Sequence, residues 1–358
     1  MIVSPTFLID ETRCRINIRE MAQKANKNQV VFRPHFKTHQ SLQIASWFRE
    51  EAVHAITVSS LKMAQCFIND GWDDVTLAFP VNIRAMDWIR QLSEKAKLHL
   101  VIESNSAIEA LEKGLTNKTK IFIKIDTGYG RTGVPSTQKT TIDNLVSQLS
   151  KSSKLSFSGF LSHAGHSYNA RSAPEIAEIH HASHEALSRL KDHYIKQHPN
   201  LLLSVGDTPS CSVMDDFTTV DEIRPGNFVF FDLMQELIGS CTPDQIAVAV
   251  ACPIVAIHRE RNEMVVHGGG VHFSKESIED PVHGIHYGQV TLPTDQEELW
   301  GQPAEGAYLR KLSQEHGTIV ASPAFIDRCQ IGDLLKILPV HSCMTANLMK
   351  ESTLIVSC

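Results

Sequence analysis

Short apolar runs alternate with amphipathic stretches through roughly the first 240 residues. The runs are continuous rather than alternating, which is typical of strands buried on both faces of a parallel sheet. The stretches between them carry apolar residues at helical spacing. Eight strand–helix units in succession predict an α/β fold, a (β/α)8 TIM-type barrel rather than a doubly wound sheet. The predicted strands are 29–33, 55–59, 75–79, 98–103, 120–126, 155–163, 201–206 and 218–223.

The pattern changes after about residue 240, where strand-like runs are separated by turns instead of helices. This pattern of strand-like runs and turns predicts a second, mainly antiparallel β domain. Residues 6–10 (TFLID) are also strand-like, and we expect them to join it. We therefore place the barrel at residues 10–240 and the β domain at residues 1–9 and 241–358. The later strand-like runs are 247–258, 263–273, 286–292, 317–322, 333–340 and 352–358.

The composition narrows the class of protein. Apolar residues make up 42% and charged residues 21% of the 358 positions, as in ordinary globular proteins. The net charge of −6 and the lack of a basic block argue against a nucleic-acid partner. No apolar run could span a bilayer, the N-terminus lacks signal-peptide features, and the eight cysteines are scattered. We expect a cytoplasmic protein that binds neither membrane nor nucleic acid.

Polar side chains collect at the carboxyl ends of the predicted strands, where barrels of this type carry their active sites. The loops after the seventh and eighth strands resemble the phosphate-binding loops of such barrels, although Gly-Asp and Pro-Gly pairs also occur in ordinary turns. After the first, fifth and sixth strands the residues are Arg33, His35, Lys37, His39, Asp126, Arg131, His163, His166 and Tyr168. The last two loops contain Gly206, Asp207, Thr208, Pro225, Gly226 and Asn227.

Lys37 is a candidate nucleophile near these loops. A lysine that is desolvated or flanked by other cations has a lowered pKa, and its free amine is a nucleophile. Arg33, His35 and His39 are candidate neighbours of this kind. A nucleophilic lysine opposite a phosphate-binding loop suggests a Schiff base with pyridoxal 5'-phosphate (PLP). A sugar-phosphate aldolase would use similar groups, so these residues alone leave both chemistries open.

A second candidate site lies near the C-terminus, in the stretch PVHSC. His341 and Cys343 are two residues apart, and in an extended chain such residues point to the same side. Imidazole and thiolate are favoured zinc ligands, and two protein ligands leave positions for water or substrate. The spacing therefore indicates a zinc site.

Together these motifs resemble those of the fold-type III PLP enzymes of the alanine racemase N-terminal superfamily, and in particular the enzymes similar to D-serine dehydratase and D-threonine aldolase. They follow the family's order and cover nearly the whole chain. The matching stretches are SPTFLID, RPHFKTH, IDTGYGRTGV, HAGHSY, VGDTPS, RPGNFVFFD, LSQEHG and PVHSC.

The resemblance implies a role for each matching residue. Lys37 would hold PLP and act as the base at the substrate's Cα. Arg131 would lie by the cofactor ring and face its nitrogen, and Tyr168 would bind nearby. His341 and Cys343 would bind zinc, which engages the substrate's β-hydroxyl. The resemblance also implies a homodimer. The phosphate would be held by Gly206, Asp207, Thr208, Gly226 and Asn227.

The implied activity is that of a PLP- and zinc-dependent lyase, which converts a β-hydroxy D-amino acid into a 2-oxo acid and ammonia. The cysteine at position 343 favours the dehydratases, since the aldolases carry aspartate there. D-threonine aldolase-like cleavage and amino-acid racemisation on the same fold remain alternatives. His267 stands where the family shows aspartate, and Phe231 where tyrosine is common. These departures leave the D-amino acid open and make His267 and His272 additional candidates.

Overall fold

The computed structural model describes residues 1–294, 296 and 298–357, and the chain divides into a unit of residues 19–226 and a unit of residues 1–18 with 227–358. The chain begins with strand β1 (Thr6–Asp10) and helix α1 (Glu11–Lys27). The Asp10 carboxylate accepts the backbone N–H of Arg13 at 3.0 Å. This contact satisfies a donor that the first turn of a helix leaves unpaired, so helix α1 begins directly after the strand.

All eight predicted barrel strands are present in one parallel sheet, with the order β2-β10-β9-β8-β6-β5-β4-β3. A bridge between His35 and Thr57 joins its two ends, so the predicted (β/α)8 barrel is confirmed. The strands are β2 (Val31–Phe32), β3 (Ala55–Val58), β4 (Asp74–Pro80), β5 (Lys97–Ile102), β6 (Thr119–Asp126), β7 (Val134–Pro135, paired with β6), β8 (Leu155–Ser162), β9 (Leu202–Val205) and β10 (Glu222–Ile223).

The barrel helices begin at polar caps and bury one apolar face. Four of them start after a serine whose hydroxyl accepts an N–H three residues later, namely Ser41, Ser60, Ser104 and Ser172. Fully buried Val101, Phe122 and Leu161 pack together from three strands. The helices are α2 (Leu42–Glu50), α3 (Leu61–Asn69), α4 (Met86–Ser93), α5 (Asn105–Gly114), α6 (Lys139–Lys151), α7 (Ala173–Tyr194) and α8 (Thr208–Val213).

The second unit is a mainly antiparallel sheet with the order β12-β17-β16-β15-β18-β11-β1-β19. Strand β11 also pairs with β12, which closes part of the sheet into a ring, and β1 pairs with β11 as expected from its sequence. The strands are β11 (Val248–His258), β12 (Glu263–His267), β13 (Ile278–Asp280), β14 (Gly284–His286), β15 (Gly288–Thr291), β16 (Pro303–Leu312), β17 (His316–Val320), β18 (Leu334–Pro339) and β19 (Thr353–Val356).

Four short helices lie between the described strands of this sheet. One of them falls in a run that the sequence predicted as strand. The run 263–273 was expected to be strand throughout, but its second half is helical. A Cβ at Gly269 would lie 2.3 Å from the carbonyl oxygen of Gln314, so only glycine fits where the chain leaves the sheet. The helices are α9 (Leu233–Ile238), α10 (Gly270–Phe273), α11 (Pro323–Ile326) and α12 (Ser342–Leu348). Among the described residues, none of the helices has the length and apolar character needed to cross a membrane.

Candidate active site and metal centre

Lys37 lies in a turn that follows β2, just beyond the bridge at His35. Its backbone N–H donates to His35 Nδ1 at 3.3 Å, and its carbonyl accepts the side-chain amide of Gln40 at 3.0 Å. The lysine is half-buried, and in the part of the chain that the structure describes no carboxylate pairs with its ammonium. The turn therefore fixes the backbone of Lys37 and leaves its amine for another partner.

The two glycines of the predicted phosphate loops are sites of close backbone approach. A Cβ at Gly226 would lie 2.9 Å from His35 Cβ and 3.2 Å from Thr38 Oγ1, so this loop packs directly on the turn that carries Lys37. A Cβ at Gly206 would lie 2.8 Å from Arg224 Cα. Any larger residue at either position would push the loops apart. The structure thus brings the Lys37 turn and the Gly226 loop together.

Asp207, Thr208 and Tyr168 form one hydrogen-bonded group. The Thr208 N–H donates to the Tyr168 hydroxyl at 3.2 Å. The buried Asp207 carboxylate accepts the Ser210 N–H and the Ser167 hydroxyl, both at 2.8 Å, and so caps α8. Burial raises the pKa of Asp207, although these hydrogen bonds oppose the shift. The Thr208 hydroxyl is buried without a hydrogen-bond partner among the described residues, which is costly unless a ligand satisfies it.

Two histidines in the same region are held neutral by burial and by nearby positive charge. Burial comes first among the causes, and nearby cations add to it, so the pKa values of His35 and His163 both lie well below their ordinary range. The His163 Nδ1–H donates to the Gly206 carbonyl at 2.5 Å. The cations that act on these two rings are Lys37, Lys124, Arg131 and Arg224.

Two of these cations are buried, and sequence reasoning missed both. Burial and neighbouring arginines lower the pKa of Lys124 to about 8, and burial lowers that of Arg224 to about 10. Arg224 is fixed by donating to the Ser204 hydroxyl at 2.6 Å. Lys124 shares a strand face with Phe122 because side chains two residues apart point the same way. A lysine in an otherwise apolar strand was the signal that could have revealed it.

Arg131 follows the glycine-rich loop after β6. The Asp126 carboxylate accepts the N–H groups of Gly128, Tyr129 and Gly130 at 2.9–3.1 Å and so holds this loop in shape. The Arg131 guanidinium lies 4.9 Å from the Tyr129 ring centroid. This contact anchors an otherwise exposed side chain.

Arg33 and His39, which the sequence suggested as cationic neighbours of Lys37, have other partners. Buried Arg33 forms ion pairs with Glu222, at 2.9 Å, and with Asp74. Buried His39 stacks on Phe48, and burial lowers its pKa to about 3. Both residues therefore support the barrel wall, and the charge near Lys37 comes from the residues described above.

The predicted metal ligands come from a helix start rather than an extended chain. Strand β18 ends at Pro339, His341 is the N-cap of α12, and Cys343 lies in its first turn, so the expected two-residue alternation is wrong. The two side chains nevertheless interact, because Cys343 is one of the groups that raise the pKa of His341. The Glu276 carboxylate accepts from His341 Nδ1. Burial opposes the charged ring, but the bonds to Cys343 and Glu276 outweigh it and raise the pKa of His341 to about 11.

A buried carboxylate holds this helix start in place. Asp232 accepts the Ser342 N–H at 2.8 Å, the Ser342 hydroxyl at 3.0 Å and the Asn227 amide at 2.6 Å. The Asn227 amide also donates to Cys343 Sγ at 3.5 Å. The structure therefore places the side chain of Asn227, a predicted phosphate-binding residue, in the network around Cys343.

His267 and His272 form a separate cluster with Glu315. Their Nε2 atoms lie 3.6 and 3.9 Å from the Glu315 carboxylate, and the three groups lie within 4.8 Å of one another. The Gly269 N–H donates to His272 Nδ1 at 3.1 Å. Because Nδ1 accepts a hydrogen bond, the neutral ring carries its proton on Nε2. The Nε2–H of His272 therefore faces Glu315, and this nitrogen has no lone pair available for a metal ion.

Comparison with known proteins identifies the family of this chain. Residues 9–233 match the family model described as alanine racemase, N-terminal domain. The chain belongs to the alanine racemase N-terminal family. Residues 247–355 match the model of a putative serine dehydratase domain. The predicted family and the predicted enzyme class, a D-serine dehydratase-like lyase, are confirmed, and PLP is the cofactor expected for this fold family.

Several relatives of this family member are dehydratases. It is 29% identical to D-threo-3-hydroxyaspartate dehydratase of Delftia sp. (strain HT23), over 96% of this chain and 91% of that protein. It is 28% identical to D-serine dehydratase of Dictyostelium discoideum, over 97% and 92%. A solved structure of the Delftia enzyme matches with a TM-score of 0.91 at 26% identity, covering 100% of this chain and 95% of that one. A mutant of that enzyme in a metal-free form matches at 0.87 and 26%, covering 97% and 93%.

Proposed function

We propose that this protein is a PLP- and zinc-dependent dehydratase that removes water from a β-hydroxy D-amino acid. In the net reaction the Cα–H and Cβ–O bonds break, water leaves, and hydrolysis of the resulting enamine gives a 2-oxo acid and ammonia. The observation that carries the proposal is the packing of the Gly226 loop on the Lys37 turn, within a field of four cations.

The barrel residues fit PLP. The buried cations Lys124 and Arg224 suit its phosphate and phenolate charges, and the unpartnered Thr208 hydroxyl offers a hydrogen-bond donor. Gly206, Asp207, Thr208 and Gly226 would bind the phosphate, and Lys37 would hold the cofactor through its amine. When bound, PLP supplies an electron sink for the negative charge that develops at the substrate's Cα.

The chain's own residues would then orient the substrate and move its protons. The Lys37 amine takes the proton from Cα. The Tyr168 hydroxyl, which accepts from the Thr208 N–H, orders the phosphate side of the pocket. His163 places no further positive charge beside Arg131, because burial and the nearby cations lower its pKa and keep the ring neutral. Its Nδ1–H donates to the Gly206 carbonyl, which fixes the orientation of the ring. Arg131, as the resemblance implies, would face the cofactor's ring nitrogen.

His341 and Cys343 fit a zinc ion. Glu276 occupies His341 Nδ1 and leaves Nε2 as the ligand atom, and the Asn227 amide stabilises negative charge on the Cys343 sulfur. Imidazole and thiolate suit zinc better than manganese or magnesium. When bound, zinc supplies Lewis-acid stabilisation of the departing hydroxyl oxygen.

A substrate panel tests the proposal. Purified, PLP-loaded protein is incubated with D- and L-serine, D-threonine and D-threo-3-hydroxyaspartate, and ammonia, 2-oxo acid, aldehyde and product chirality are measured, with and without chelator. We expect equal amounts of ammonia and 2-oxo acid from D-substrates alone, with loss of activity on chelation. Aldehyde with glycine would instead identify an aldolase, and inversion without ammonia would identify a racemase.

A further inference from the structure

Glu276 is a residue that the sequence motifs do not single out, yet it contacts a proposed metal ligand. Its carboxylate accepts from His341 Nδ1, across 65 positions of sequence. About half of the Glu276 side chain is exposed, whereas His341 is one-third exposed. An exposed carboxylate in such a contact contributes little to folding, so its role lies in what it does to the ring.

The contact decides which nitrogen of His341 is available. A carboxylate at Nδ1 holds a proton there, so a metal ion would bind at Nε2, where it replaces the proton of the charged ring. Metal-bound histidines usually donate their second ring N–H to such a partner, which fixes the ring orientation and raises the basicity of the ligand nitrogen. His272 is the opposite case in the same unit, because its Nδ1 accepts from Gly269.

The segment that carries Glu276 is tied to the helix that carries Cys343. The Thr345 hydroxyl of α12 donates to the Phe273 carbonyl at 3.4 Å. The Glu276 N–H donates to the Ser274 hydroxyl at 3.3 Å. These bonds keep the carboxylate in register with the helix start that presents His341 and Cys343.

We propose that Glu276 is the positioning residue of a carboxylate–histidine–metal triad and that it sets the affinity of the His341–Cys343 pair for a divalent metal ion. This inference rests on the proposed zinc site. Glu276 acts through His341, because its carboxylate lies at Nδ1 whereas an ion would bind at Nε2.

Metal titration of the whole chain tests the inference without an activity assay. Metal-free wild type, Glu276→Ala, Glu276→Gln and Glu279→Ala are titrated with Zn²⁺ against a chromophoric chelator, and with Co²⁺ to record its thiolate absorption. Removal of the carboxylate is expected to weaken Zn²⁺ binding about 10–100-fold, the range for lost outer partners of metal ligands. Glu276→Gln should lie between, since its amide oxygen still accepts from Nδ1. Exposed Glu279 is the matched control and should bind as wild type.

The outcomes separate this inference from the zinc site itself. Wild-type affinity in both Glu276 variants, with loss in His341→Ala and Cys343→Ala, overturns the positioning role and keeps the site. A lower melting temperature of the metal-free Glu276 variants with unchanged Zn²⁺ affinity also overturns it, in favour of a structural role. If wild type binds no Zn²⁺, or binds it equally well without His341 and Cys343, the proposed zinc site itself is wrong.

Discussion

The barrel and the β unit each place histidine at a candidate site, and they hold it in opposite charge states. Around His35 and His163, burial and four cations keep the rings neutral. Around His341, Glu276 and Cys343 keep the ring protonated despite burial. The first environment suits an anionic cofactor, and the second suits a cation that replaces the proton. The neighbours, rather than the residue type, therefore decide which ligand each site can take.

The largest effect should follow from removing the amine of the barrel site. Lys37→Ala is expected to lower kcat for ammonia release by roughly 10²–10⁴-fold, the range for loss of a positioned acid or base, and to abolish the visible absorption of covalently held PLP. The assay is ammonia release together with an absorption spectrum. Lys62→Ala, at an exposed position of α3, is the control. A Lys37→Ala protein that keeps its absorption band would refute the assignment.

Cys343→Ala should affect the proposed zinc site and leave the barrel site unchanged. We expect Zn²⁺ affinity to fall by at least about 10-fold, because a ligand is lost and not merely an outer partner, while PLP stays bound. Metal analysis after dialysis and the PLP absorption of the same sample measure both. If PLP is lost as well, the two sites are not independent and the contrast between them fails.

Gly226→Ala tests the packing that joins the Gly226 loop to the Lys37 turn. The new Cβ would lie 2.9 Å from His35 Cβ, so we expect a loss of about 1–3 kcal/mol in the free energy of unfolding, as for overpacking, and weaker PLP binding. Urea denaturation and PLP titration measure these changes. Gly270→Ala is the control, since its Cβ would meet nothing closer than 3.5 Å. Equal behaviour of the two variants would argue against a tight loop contact.

The smallest expected effect is a loss of stability in mild acid, which should differ between the barrel and the β unit. Burial lowers the pKa of His180 to about 4 and that of His184 to about 3, both in the barrel. The folded-state pKa values of both histidines lie below the unfolded value. Their contribution to the free energy of unfolding is therefore complete above about pH 6.5 and is lost as the pH falls. The free energy of unfolding should fall by about 1.4 kcal/mol per pH unit for each such histidine.

Hydrogen exchange of metal-free protein at pH 7 and pH 5 measures where this stability is lost. Barrel amides should lose protection at pH 5. The β unit should change less, since the raised pKa of His341 keeps that ring protonated at both values. Equal loss in the two units would show that their histidines are not held in opposite states.

The sequence predicted the architecture better than the sites. Apolar runs identified seven of the eight predicted barrel strands, since their burial on both faces leaves a local signal. The eighth, residues 218–223 (TTVDEI), was predicted because it completes the count of strand–helix units. Strand β16 was not predicted, because Glu305, Gly306 and Arg310 interrupt its apolar pattern. Lys37 and the predicted phosphate loops could be proposed from the sequence because they lie at strand ends, and they stay predictions. Arg224 and Glu276 could not, because their roles depend on contacts between residues far apart in sequence.

The most direct test of the account is chemical labelling of the barrel lysine. Protein loaded with PLP is reduced with borohydride, digested and analysed by peptide mass spectrometry. The account predicts a phosphopyridoxyl group on Lys37 and on no other lysine in stoichiometric amount. A stoichiometric label elsewhere, or none in protein saturated with PLP, would contradict the central claim that this end of the barrel holds the cofactor.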